Sequence, residues 1–183
     1  MERVLIIADN FRIPNLGHLK LLEAIQQKMK EFNIIKTYIF ISYEIGDTLN
    51  YFQKESLLKK IITNSEMFQI VEIDNLKISK EIKQIALNRE DILAIYVDPF
   101  QKSFVEHSVE GLPVEVREFY TKVDINMLEE SIIQNNYQVF CNMMPNKLWS
   151  EFQNLKEIYN FNKLSEHIIN FKSFLKKNKY RGI

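Results

Sequence analysis

Asn15-Leu16-Gly17-His18 follows the apolar run Val4-Leu5-Ile6-Ile7-Ala8 and precedes the helix-patterned Leu19-Lys20-Leu21-Leu22-Glu23-Ala24-Ile25. That order puts a histidine in the first turn of a helix that follows a strand. Such a turn gathers free backbone N–H groups and the positive end of the helix dipole, so an anion can sit there with little further help. Gly17 lets the backbone come close to that anion. A helix N-terminus disfavours protonated imidazole, which leaves a neutral His18 able to donate one N–H to a ligand oxygen. The chemistry this implies is phosphate handling on a nucleotide. The plainer alternative is a histidine that caps its own turn or bonds a backbone carbonyl.

The elements that must position this turn are legible as alternating patterns. Five runs rich in β-branched and aromatic residues, at about 4–8, 37–42, 68–73, 92–97 and 114–120, are separated by helix-period segments. The first, second and fourth are nearly continuously apolar, as parallel strands covered on both faces must be. The fifth alternates Val114 and Val116 with Glu115 and Arg117 and reads as an edge strand. Strand and helix in alternation predict an α/β fold with a five-stranded parallel, Rossmann-like sheet. The helix after His18 has Leu21, Leu22, Ile25, Met29 and Phe32 on one stripe; Leu57, Leu58, Ile61 and Ile62 mark a second helix, and Ile78, Ile82, Ile85 and Ala86 a third. After the fifth strand the spacing is helical throughout, from Met127, Leu128, Ser131 and Ile132 to Leu164, Ile168 and Leu175, with a break at Pro145. Residues 1–145 read as the α/β domain and 146–183 as a helical extension packed on it, ending in a basic stretch at 172–181.

Composition removes several classes of function. Lysine plus arginine and aspartate plus glutamate number 24 each, so no global field draws the chain to nucleic acid or an anionic membrane. Any phosphate must therefore be held locally. No apolar run is long enough to span a bilayer, and no secretory pattern opens the chain, so the expectation is a cytoplasmic protein. With Cys141 the sole cysteine, no intrachain disulfide or cysteine-cluster metal site can form. His107 and His167 have no partner at ligand spacing, which argues against zinc, while Trp149 and Phe152 fall on a helical stripe expected to be core.

Phe11-Arg12-Ile13-Pro14-Asn15-Leu16-Gly17-His18-Leu19-Lys20-Leu21-Leu22 resembles the opening signature of the nucleotidyltransferase superfamily, whose members carry a T/H-x-G-H motif after strand one. It most resembles cytidylyltransferase-like proteins of large tailed phages, with openings of the type F-N-P-P-T-x-G-H-x-K-L-L. The likeness continues in order through Tyr38-Ile39-Phe40-Ile41-Ser42, then Leu49-Asn50-Tyr51 with Lys54, then Ala94-Ile95-Tyr96-Val97-Asp98, then the segment from Met127 to Tyr137 with Phe140 and Met144-Pro145. The resemblance implies transfer of a nucleoside monophosphate from ATP or CTP to a phosphorylated acceptor, with release of pyrophosphate. Catalysis of this kind is positioning plus stabilisation of charge on the phosphoryl oxygens. By resemblance His18, Lys20 and Asn15 act on the phosphates, Phe11, Gly17, Lys54 and Asp98 bind the nucleotide, and Mg²⁺ bridges its phosphates. The alternatives are that Lys20 and Lys54 are solvated helix lysines and that Asp98, before Pro99, makes a turn.

The departures from that family point elsewhere. Asn15 stands where Thr or His is expected, Tyr96 replaces a glycine, and Pro99 follows the aspartate where arginine is common. The family's S-x-T-K-M-R box reads Asp124-Ile125-Asn126-Met127-Leu128-Glu129 here. Asp124 and Glu129 would put negative charge beside a polyphosphate, a repulsion of roughly 1 kcal/mol per pair at ~4 Å in water and several-fold more in a partly dry cleft. Two functions therefore stand: a nucleotidyltransferase, or a catalytically degenerate relative serving as a nucleotide-binding, structural or interaction module in a phage particle, with a protein partner reached through the C-terminal helices.

Overall fold

The computed structural model describes residues 2–42, 47–74, 77–87 and 90–179, with side chains described as far as residue 165. Ile168 and Leu175 of the expected helical stripe, His167 and the basic end of the chain lie outside the described side chains.

Five strands form one parallel sheet: β1 (Glu2–Asp9), β2 (Ile34–Ser42), β3 (Phe68–Ile73), β4 (Glu90–Val97) and β5 (Glu115–Glu118). Their order is β3-β2-β1-β4-β5, so the chain builds outward from β1 in one direction and then turns to the other side. Helices cover both faces, which makes this a Rossmann-like α/β fold. Against one face lie α1 (Leu16–Phe32), α2 (Tyr51–Ile61), α5 (Ile125–Ile133), α6 (Tyr137–Met143) and the start of α7 (Phe152–Lys179). Against the other lie α3 (Ile78–Leu87) and α4 (Lys102–Ser108).

The alternation inherent in a strand sorts β1 between these layers. Leu5 and Ile7 join the α1 side, Val4, Ile6 and Ala8 the α3 side, and all five are at most 1% exposed. In β4 simple alternation fails. Val4 pairs with Ile92 but Leu5 pairs with Ala94, so Leu93 is bulged, and Ile92 and Ile95 share a face although three residues apart. Ile35 of β2 is passed over in the same way opposite Arg3 and Val4, and both bulged residues are exposed. β5 is shorter than its alternating run and largely exposed, as an edge strand.

The C-terminal helices belong to the α1-side core. Leu128, Ile132, Phe140, Leu148, Phe152, Leu155 and Tyr159 sit in one apolar cluster with Leu22, Ile25 and Leu57. Asn162 Nδ2 donates to the Thr48 carbonyl at 2.9 Å and ties α7 to the loop before α2. Phe152 is buried as expected, but Trp149 is 40% exposed. The reason is local geometry: Asn146–Glu151 is a 3-10 segment, whose tighter winding turns Trp149 off the stripe that an α-helix would give it. No helix among the described residues is long and apolar enough to cross a membrane.

Candidate functional site

The first turn of α1 satisfies its own polar groups. Asn15 is the N-cap, and its side-chain oxygen accepts from the N–H groups of Gly17 at 2.9 Å and His18 at 3.4 Å. His18 answers as the third helical residue, its Nδ1 accepting from the Asn15 backbone N–H at 3.1 Å. This is a reciprocal capping box with histidine in the place usually held by Glu or Gln. An Nδ1 that accepts leaves the proton on Nε2, and Nε2 lies 2.9 Å from Asp9 Oδ2 at the end of β1. Both ring nitrogens are thus engaged within the protein. The ring is 3% exposed, with Phe11 at 4.9 Å and Phe119 at 6.3 Å between centroids. Phe11 is buried in the core and holds a left-handed backbone at φ 47, a rare conformation for a bulky side chain.

Gly17 is required by the chain itself. A Cβ there would stand 2.1 Å from the Thr121 carbonyl oxygen and 2.4 Å from that residue's Cα and Cβ. The group that comes close to Gly17 is the segment after β5, where the sequence reading expects an anion. Lys54 is likewise internal. It is 1% exposed, and its Nζ donates to the Asn10 carbonyl at 2.7 Å, the Ser42 carbonyl at 3.5 Å and Asp47 Oδ2 at 2.6 Å. Lys20 is exposed on α1. Asp98 closes a turn after β4, accepting from the Phe100 N–H at 2.9 Å.

The acidic departures from the family pattern have partners here. Glu129 receives a two-pronged contact from Arg12, Nε to Oε1 at 2.7 Å and the second nitrogen to Oε2 at 2.5 Å. The Tyr159 hydroxyl donates to the same carboxylate at 3.1 Å. Burial, and then the negative charge of Glu129, hold the Tyr159 hydroxyl well above the ordinary tyrosine range. Asp124 caps α5 through the Met127 N–H at 3.0 Å. Tyr96 points along the α1-side layer, its hydroxyl accepting from Lys28 at 3.0 Å and Arg117 at 3.4 Å. Lys28 is ten residues from His18, roughly 15 Å along α1, so the Tyr96 hydroxyl sits far from the first turn.

An open cleft of about 420 Å³ lies beside this cluster, between the ends of β1 and β4. These are the two strands at which the sheet order reverses, the position where open α/β sheets bind ligands. Asp9, Asn10 and Arg12 form one lip; Asp98, Phe100 and Gln101 form the other, with Ile125 and Asn126 of α5 between them. Of the residues expected from the sequence, Asp98 lines this cleft, whereas His18 reaches its wall through Asp9, and Phe11, Gly17 and Lys54 pack behind it. Asp9, Arg12, Phe100 and Gln101 were not singled out from the sequence. A charged residue one step beyond the apolar run of β1 was the available signal for Asp9. Among the described residues, no group of three or more His, Cys, Asp or Glu side chains is placed to hold a metal ion.

Fold and site together define a Rossmann-like α/β protein with an open cleft at its switch point. No protein-family model matches the chain, and no curated protein matches it. Among solved structures, the crystal structure of a hypothetical protein from Sulfolobus tokodaii is similar over 68% of this chain and 100% of that one, at 15% identity and a TM-score of 0.44. A likeness that distant carries no functional weight.

Proposed function

We propose that this chain is a nucleotidyltransferase-like protein that does not transfer nucleotides and that works as a binding and interaction module. The observation that carries this reading is the His18 ring: Asn15 donates to one nitrogen and the other donates to Asp9. The donor that would stabilise charge on a transferring phosphoryl group is committed to a carboxylate of the protein itself. The Lys54 ammonium is committed in the same manner to Asp47 and two carbonyls. An interaction role draws support from α2 and α7, where Phe52 is 73%, Phe161 71% and Leu164 61% exposed. Exposed apolar side chains grouped on two neighbouring helices favour a protein partner at this end.

The transferring reading keeps one support, the open cleft beside Gly17-His18 at the switch point. It requires a phosphoryl oxygen to replace Asp9 at Nε2, with Mg²⁺ brought by the triphosphate because the described side chains supply no cage for it. Calorimetry with ATP and CTP in the presence of Mg²⁺ separates the two. The expected result is no binding at millimolar concentration and no pyrophosphate release. Mg²⁺-dependent release that His18→Ala abolishes would establish the enzyme instead.

A further inference from the structure

We infer that the switch-point cleft is a site for an uncharged, polyhydroxylated small molecule with a ring face, a sugar or a nucleoside without phosphate. The inference rests on the reading of the site as one that does not transfer nucleotides, and it goes on to name what the cleft holds.

Its basis is the polarity of the wall. Asp9 is 6% exposed, its carboxylate is fixed through Oδ2 by His18, and the residue lines the cleft. A buried carboxylate held in one orientation presents lone pairs, so it selects O–H or N–H donors. A phosphate in its place would meet like charge in a partly dry environment. Arg12, the guanidinium of that lip, is turned to Glu129 by its two-pronged contact. The remaining polar lining is Asp98, a second carboxylate that accepts from the Phe100 N–H, and the amides of Asn10, Gln101 and Asn126, which offer both donors and acceptors, as hydroxyl groups need. Gln101 is held in place by its bond to Ser42 Oγ at 3.0 Å, across the end of β1. Phe100, 98% exposed at the rim, offers a flat apolar face against which a ring can stack. Carboxylate, amides and an open aromatic ring form the set that recognises hydroxylated rings, and the cleft volume is that of a small-molecule site.

The test is calorimetry on the full chain with two matched pairs, ribose against ribose 5-phosphate and adenosine against AMP. Each uncharged member should bind at least about tenfold more tightly than its phosphorylated partner. Asp9→Asn, which turns an amide donor toward the cleft, should erase that preference. Phe100→Ala should weaken adenosine more than ribose with the melting temperature unchanged. Should Asp9→Asn fail to fold, Gln101→Ala must lower the affinity for the uncharged ligands. The inference is overturned if neither ribose nor adenosine binds at millimolar concentration, if the phosphorylated members bind as well, or if these substitutions leave binding unaltered. Failure of the underlying reading has a different signature, pyrophosphate release from ATP or CTP.

Discussion

The two lips of the cleft handle their polar groups in opposite ways. On the β1 lip, Asp9 is paired with His18, Arg12 with Glu129 and Lys54 with Asp47, and the helix N–H groups of Gly17 and His18 are capped by Asn15. On the β4 lip, Asp98 closes a turn, Phe100 stands in solvent, and Gln101 makes a bond to one hydroxyl. The first, the partly exposed Arg12 side chain apart, is cross-linked interior, in which an unmade hydrogen bond leaves a desolvated group exposed to its full penalty. The second is surface, where water replaces whatever is removed. Stability should therefore depend on the β1 lip and ligand selection on the β4 lip together with Asp9.

Lys54→Met gives the sharpest contrast. It takes the ammonium away from the Asp47 carboxylate and two carbonyls in a buried place, and should lower unfolding free energy by about 3–5 kcal/mol in denaturant titration. A loss under about 1 kcal/mol would mean that water reaches this ammonium and the lip is no interior. Gly17→Ala should cost about 2–3 kcal/mol, because Thr121 backbone must move. Gly111→Ala is its control: the φ of 83 strains any side chain, but nothing lies within 4 Å, and the expected cost is about 1 kcal/mol. Equal melting temperatures for the two glycine variants would contradict the packing of Thr121 on α1.

Tyr159→Phe should cost about 1 kcal/mol at neutral pH by removing one hydrogen bond to Glu129. Its pH dependence carries a definite sign. The folded state holds the hydroxyl protonated above the ordinary tyrosine range, so its share of stability is complete below about pH 10 and declines as pH rises toward the raised folded value. The wild type should lose stability more steeply than Tyr159→Phe in alkaline melts, by up to about 1.4 kcal/mol per pH unit in that window. Parallel curves would show that this hydroxyl is hydrated. Phe100→Ala, on the other lip, should change stability by less than about 0.5 kcal/mol; a larger drop would show that the exposed ring is packed and cancel the contrast.

Much of the frame was legible because it is written in local repetition. Continuous apolar runs gave the covered strands, and Gly-His between strand and helix marked a first turn with unusual backbone requirements. The helix start was legible too, since Asn15 is a cap residue by type. What the turn does with its groups was not legible. His18 could cap its own turn or reach a phosphate, and the histidine has the same neighbours in sequence in both cases. The bulges at Ile35 and Leu93 escaped for a similar reason: a skipped pairing depends on the partner strand, which period-two reading ignores.

The amino-acid order by itself determined the alternation of strand and helix, the parallel α/β class and the position of the glycine-histidine turn, since each follows from periodicity and residue type over a few neighbours. Only the tertiary structure decided that Thr121 fills the space over Gly17, that Asp9 accepts the hydrogen bond from His18 Nε2–H, and that Arg12 meets Glu129 across 117 residues of chain. Those pairings are set by the sheet order β3-β2-β1-β4-β5 and the return of α5 and α7 over α1, and a charge's partner, unlike its propensity, is a property of distance in space.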